Sequence, residues 1–204
     1  HANLDEIKAS KVLEKLGLEK GKYILLSAHR EENIDTEKNF ISLMNAINAL
    51  AQKYDMPILY SCHPRSAKYI ENRGFVFDKR VRQNKPLGFH DYNNLQMNAY
   101  AVVSDSGTLP EESSFFLSVG HPFPAICIRT STERPEALDK GNFFIAGITT
   151  SQVLQAVDTA VTMNDNGDYG IPVPNYVDEN VSTKVVKIIQ SYTGIIDKMV
   201  WRKN

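Results

Sequence analysis

Four polar clusters in this chain each follow a short apolar run: His29-Arg30-Glu31-Glu32-Asn33, His63-Pro64-Arg65-Ser66, Asp105-Ser106-Gly107-Thr108, and the stretch from Arg129 to Arg134. A histidine beside an arginine can serve as acid, base or phosphate donor near neutral pH, although a histidine in isolation is as readily a structural residue. In the third cluster a small residue followed by glycine lets the backbone approach a ligand, and Pro110 suits the first turn of a helix whose N–H groups can meet phosphate oxygens. That segment reads as a seat for a diphosphate or as a plain helix cap, and Asp105 and Ser106 would serve the cap equally well. Glu112, about a turn further on, is either a carboxylate favoured by the helix dipole or an acceptor for the two neighbouring hydroxyls of a ribose. Arg129 and Arg134 bracket Thr130 to Glu133, and two arginines on a rim that already holds a helix N-terminus favour an anion.

Such clusters act together only if the chain gathers them, so the elements between them matter. Tyr23 to Ser27, Pro57 to Cys62, Ala101 to Ser104 and Ala125 to Ile128 are short apolar runs that predict fully buried strands, with a further strand around Val81. Helical spacing predicts helices over 2–16, 36–54, from Ser66 through Ile70, from a cap at Asp91 through Asn98, from about Pro110, and over 151–163 with Ser151 as its cap. Five or so strands alternating with helices predict an α/β fold, a parallel sheet with helices on both faces. In such a sheet ligands bind at the carboxyl ends of strands, where all four polar clusters fall. Residues 164–174 read as a turn-rich surface loop; Val181, Val185, Val186, Ile188 and Ile189 are expected to face inward from a helix over 179–193, with Gly194 interrupting it.

Composition narrows the partners. The 204 residues suit one domain with an ordinary core, and 23 basic against 24 acidic side chains give no global field to recruit nucleic acid or an anionic membrane. An anionic ligand must therefore be gripped locally. Cys62 and Cys127 lie inside apolar runs, read as packed thiols rather than a disulfide or nucleophile, and neither has metal-ligand spacing. With no apolar stretch approaching the ~20 residues that span a bilayer, and no apolar signal core, the expected address is cytoplasmic.

Four strings in order, Ser27-Ala28-His29-Arg30-Glu31-Glu32-Asn33, Ser104-Asp105-Ser106-Gly107, Glu111-Glu112 and Thr132-Glu133-Arg134-Pro135-Glu136-Ala137, resemble the non-hydrolysing UDP-N-acetylglucosamine 2-epimerases, and they cover nearly the whole chain. The resemblance implies a Rossmann-like C-terminal half of a GT-B fold over residues 1–204, with the N-terminal domain absent from this chain. It implies UDP elimination and re-addition with inversion at sugar carbon 2, no cofactor, and a homodimeric parent enzyme. It places His29 in the catalytic centre near the diphosphate and gives UDP contacts to Ser106, Gly107, Glu112 and Arg134; Arg30 and Arg129 join the UDP-binding set as strand-end arginines suited to an anion. Tyr92 takes the position of an aromatic that packs by uracil, though ordinary helix packing also explains it.

Two departures stand out. Thr108 occupies a position where the family usually has a second glycine, and residues 115–124 are additional. The string from Ser113 to Pro124 resembles the branch that forms UDP-N-acetyl-L-fucosamine from its L-talo epimer for capsule and O-antigen synthesis. Since the family's essential carboxylates lie largely on the other domain, the resemblance implies that this chain alone is inactive, and that part of Ile195 to Trp201 lacks its partner surface. A GT-B glycosyltransferase donor domain and a non-catalytic UDP-sugar-binding domain are the alternatives; the strings around His29 and Arg134 resemble epimerases more closely than transferases.

Overall fold

The computed structural model describes residues 1–129, 131, 132 and 134–203. Helices α1 (Leu4–Ala9) and α2 (Val12–Leu16) lead into strand β1 (Ile24–Ser27), followed by α3 (Glu31–Ile34), α4 (Glu37–Tyr54), β2 (Ile58–Ser61), α5 (Pro64–Asn72), β3 (Val81–Asn84) and α6 (Phe89–Asn98). The second half runs β4 (Ala101–Ser104), α7 (Leu109–Ser118), β5 (Ala125–Cys127), α8 (Pro135–Asp139), β6 (Phe144–Ile145), α9 (Thr150–Asp165), a 3₁₀ turn (Pro174–Tyr176) and α10 (Val181–Met199).

The strands form one parallel sheet in the order β3-β2-β1-β4-β5-β6, so the chain winds outward from β1 in one direction and from β4 in the other. Every residue of β1, β2, β4 and β5 is buried, as expected of a sheet covered on both faces. Alternation along β1 sorts the core: Ile24 and Leu26 join the cluster under α4, α5 and α9, while Tyr23 and Leu25 join the cluster under α2, α6 and α7. The loops after β1 and β4, neighbours in the sheet but opposite in winding, leave a crevice at their carboxyl ends, where such sheets bind ligands.

Several local expectations are corrected. The segment 2–16 is two helices, not one, because Ser10 breaks out to an extended conformation and its hydroxyl bonds Asp91 Oδ1 at 2.5 Å. That bond explains why Asp91 is no cap: it lies inside α6, whose cap position is Gly88. The cap of α9 is Thr149, which forms a capping box with Gln152, rather than Ser151. Pro135 opens a short helix where only loop was expected, and a sixth strand, β6, extends the sheet.

The largest correction concerns α10. It runs through Gly194 without a break, and Val181, Val185, Val186, Ile188 and Ile189, expected to face inward, are 46 to 64% exposed. Apolar spacing shows that a helix has a face to cover but not which surface covers it; here both faces of the sheet are already taken by other helices.

The additional residues 115–124, which form the end of α7 and its link to β5, are structural. Phe116 is buried and meets Phe115 and Phe123 with ring centroids 5.3 and 5.9 Å apart, which fixes α7 against the sheet. Phe116→Ala is expected to cost about 3–5 kcal/mol of stability, read as a lowered midpoint in urea unfolding.

Candidate functional site

The centre of the site is Asp105, the first residue after β4. It is fully buried, and its Oδ2 accepts hydrogen bonds from the backbone N–H groups of His29 and Arg30, both at 2.8 Å, and from Asn33 Nδ2 at 3.1 Å. A short N–H donor pair on a buried carboxylate is a strong, directional clamp. Its Oδ1 is buried without an aligned hydrogen bond among the described residues and lies 3.3 Å from His29 Nδ1. The distance is that of a weak charge-assisted contact, and we regard it as the interaction that orients the ring: a proton on Nδ1 meets the carboxylate, which leaves Nε2 as the atom available to a ligand. Asp105 is therefore not the helix cap that the sequence allowed. The cap position of α7 is Thr108, whose side chain makes no cap bond.

The loop after β1 is wired on other sides as well. Ala28 O accepts from Tyr60 Oη at 2.8 Å and Ser66 Oγ at 3.0 Å. Asn33 Nδ2 also reaches Ile128 O at 3.0 Å, tying this loop to the end of β5. Arg65 pairs with Glu31 and with both oxygens of Asp35, while Arg73 donates to Ile34 O and Asp35 O. These contacts hold His29 at the mouth of a cleft of about 450 Å³ lined by His29, Arg30, Glu31, Glu32, His63 and Arg65. The His29 and His63 rings lie 6.1 Å apart.

On the other side of the 105–112 loop, Glu112 is gripped by two donors. Gln96 Nε2 reaches its Oε2 at 2.6 Å and Thr108 Oγ1 its Oε1 at 2.8 Å. Ser106 Oγ lies 2.9 Å from Thr108 Oγ1. The Ser106 amide donates to Ser104 Oγ at 3.0 Å, so the hydroxyl is the donor that Ser106 can offer. Gly107 is half-exposed beside it.

The remaining predicted residues divide. Arg30 belongs to the centre, with Nε donating to Asp105 O at 2.9 Å. Arg134 lies beside the start of α7, its Nε on Glu111 Oε1 at 2.6 Å. Tyr92 is half-buried, and burial, with Glu112 adding, pushes its phenol well above the ordinary tyrosine range, while the Ser27 and Ser104 hydroxyls beside it pull the other way. It thus sits at the carboxyl ends of β1 and β4. Arg129 is buried, with Nε 3.6 Å from Oε1 of Glu32, a residue that lines His29's cleft, and it also lines a second cavity of about 810 Å³ with Phe144 to Thr149. Thr130 and Glu133, between the two arginines, lie outside the described residues.

Sequence reasoning gave no site role to five residues. Gln96 sits in a helix as an anonymous polar position, and Asn33 ends the His29 cluster without an assigned partner. His63 and Arg65 did carry a signal, a polar cluster after a strand. Phe89, 62% exposed in a pocket with Glu111 and Glu112, is an open aromatic face beside the carboxylate. Among the described residues no group of three or more histidine, cysteine, aspartate or glutamate side chains could hold a metal ion, and no helix is long and apolar enough to cross a membrane.

A parallel sheet doubly wound about the β1–β4 switch point, with polar loops at the strand ends, is a Rossmann-like class of α/β domain. The sequence profile of the UDP-N-acetylglucosamine 2-epimerase family matches residues 1–190, and the chain belongs to that family. It is 32% identical over 149 residues to a UDP-N-acetylglucosamine 2-epimerase of Methanococcus maripaludis, covering 70% of this chain and 39% of that protein. The solved UDP-N-acetylglucosamine 2-epimerase of Rickettsia bellii superposes with a TM-score of 0.80 at 34% identity, over 99% of this chain and 53% of that one. The fold is also that of the Methanocaldococcus jannaschii enzyme solved with UDP-GlcNAc and UDP, with a TM-score of 0.76 at 24% identity over 93% of this chain and 51% of that one. The sheet is thus a Rossmann-like half of a GT-B fold, and the chain spans about half the length of these solved relatives.

Two outcomes follow from the geometry. Asp105→Ala is expected to lower stability by roughly 3 kcal/mol or more, since it strands three donors in a buried site, and to mobilise the His29 loop in amide exchange; Asp105→Asn should fall between. The second outcome concerns pH. Burial pushes the Cys127 thiol up to about 11 and raises the Cys62 thiol and the phenols of Tyr23 and Tyr60. Cys127 therefore holds its proton in the folded state after the unfolded chain has released it. Its contribution is present below pH 9 and is lost as pH rises toward about 11. Urea unfolding at pH 8 and pH 10.5 should show the midpoint falling at the higher pH.

Proposed function

We propose that this chain is the UDP-holding half of a UDP-N-acetylhexosamine 2-epimerase, a C-terminal domain that works against a second domain in the longer protein. The observation that carries the reading is that His29 and Arg30 are held on the buried Asp105 carboxylate at the carboxyl end of β4, with Ser106, Gly107 and Glu112 following it into α7. Family membership and the ligands of the Methanocaldococcus jannaschii relative support it.

The chemistry follows from what the site offers. Epimerisation at carbon 2 needs a weakly acidic proton removed, and loss of UDP as that proton leaves gives a glycal-like intermediate to which UDP re-adds after protonation on the opposite face. Breaking the bond between the anomeric carbon and oxygen puts charge on the diphosphate. Arg30, the Ser106 hydroxyl, and Arg134 at the start of α7 are the groups that would neutralise it, and His29, in the form protonated on both ring nitrogens, would donate from Nε2 to the leaving oxygen. Glu112 would take the ribose hydroxyls and Tyr92 or Phe89 the uracil. The groups that move the carbon 2 proton are assigned to the other domain. Two buried, unbridged thiols suit a reducing, cytoplasmic setting. The string from Ser113 to Pro124, spanning the end of α7 and the link to β5, is the ground for assigning the chain to the L-fucosamine-forming branch that serves capsule and O-antigen synthesis.

The full-length protein, given UDP-N-acetylhexosamine in D₂O without any acceptor, should place deuterium at carbon 2 and form the epimer. His29→Ala should lower kcat by about 100-fold or more, and the 204-residue chain alone should bind UDP without turnover. Transfer only on addition of an acceptor, or binding without deuterium exchange by the full-length protein, would overturn the assignment.

A further inference from the structure

The hydrogen bonds around Thr108 form a chain whose direction can be worked out. A carboxylate has no proton to give, so Thr108 Oγ1 spends its single proton on Glu112 Oε1 at 2.8 Å. The 2.9 Å contact between Ser106 Oγ and Thr108 Oγ1 must then be donated by Ser106. Ser106 Oγ in turn accepts from the Thr108 amide at 3.3 Å. One exposed residue thus occupies both the Ser106 hydroxyl and the Glu112 carboxylate, the groups assigned to phosphate and ribose in the proposed site. The second donor on Glu112, Gln96 Nε2, comes from a fully buried side chain, and leaving such a donor unpaired costs the desolvation of that group. Thr108 is exposed, so its hydroxyl can turn to water at little cost.

We infer that Thr108 is a latch on the nucleotide site: in the empty protein it ties Ser106 to Glu112, and a nucleotide must displace it from Glu112 Oε1 before that oxygen can accept a ribose hydroxyl. Thr108 thereby weakens binding of nucleotides that carry the vicinal diol and makes diphosphate and ribose recognition a coupled event. The inference rests on the proposed UDP site and specifies how that site is tuned. Its side chain makes no cap bond to α7, so removing the hydroxyl does not uncap the helix.

The test is calorimetric binding of UDP and of 2′,3′-dideoxy-UDP to the full-length protein, its Thr108→Val and Thr108→Ser variants, and Glu112→Ala. Thr108→Val keeps the shape and loses the hydroxyl; it should bind UDP about three- to tenfold tighter, the exchange value of one hydroxyl to carboxylate hydrogen bond. The gain should shrink to less than about twofold on the dideoxy ligand, which has no hydroxyl to compete for Glu112. Thr108→Ser should behave as the wild type. If Glu112→Ala weakens UDP but Thr108→Val leaves its affinity unchanged, or improves both ligands equally, the latch is wrong and the site assignment stands. If UDP does not bind the wild type, or Glu112→Ala has no effect on its affinity, both fall.

Discussion

The buried carboxylate of Asp105 is the constraint on which the rest of this site depends. A charge removed from water is tolerable only when donors surround it, and the donors here come from the neighbouring loop: two consecutive amides and an asparagine after β1. Satisfying Asp105 therefore fixes the path of the chain through His29 and Arg30. The cost of burying one acid and the placing of the histidine are the same interaction seen from its two ends.

That interaction is possible only because of the strand order. β1 and β4 are adjacent and parallel, with Ser27 opposite Ser104, so the residues that follow them leave the sheet side by side. The two loops then depart toward helices on opposite sides. A crevice opens between them without any residue being specified for it, and the polar residues have only to line it. Asn33, bonded to both Asp105 and the Ile128 carbonyl, closes the crevice on the β5 side.

How far this was legible in the sequence depended on the range of the interaction. The strands and most helices were readable because burial on both faces leaves uninterrupted apolar runs such as Ile24 to Leu26, and helix faces repeat with a local period. His29, Ser106 and Glu112 each had a structural explanation as ready as a functional one, and what set them apart was their recurrence in polar clusters that follow buried strands. Asp105 was ambiguous for a physical reason: an aspartate two or three residues before a helix has a ready local partner in the helix amides, and only the placement of β1, some 76 residues earlier in the chain, shows that it bonds elsewhere. Gln96 was invisible for the same reason, its partner Glu112 belonging to a different helix, and Asn33, though it stood in a legible polar cluster, showed nothing of its bonds to Asp105 and the Ile128 carbonyl far along the chain. Helix α10 failed in the opposite sense: its periodicity was correctly seen, but periodicity carries no information about what covers an apolar face.

Thr108 brings the local and the long-range arguments together. Glycine at that position would leave Ser106 and Glu112 to find their own partners; a β-branched hydroxyl residue at the end of the loop ties them to each other. The tie is neutral at one end and charge-assisted at the other, so its two halves yield to different ligand groups. A phosphate oxygen competes readily for the Ser106 proton, because an anionic acceptor outbids a neutral hydroxyl. A ribose hydroxyl competes with Thr108 on equal terms for Glu112, since both are uncharged donors to one carboxylate, and the outcome then depends on whether the second hydroxyl of the diol adds a bond that Thr108 cannot match. Recognition at this site is thus weighted toward the diphosphate first and the sugar ring second, an ordering set by one side chain at the rim and not by the buried framework that holds it.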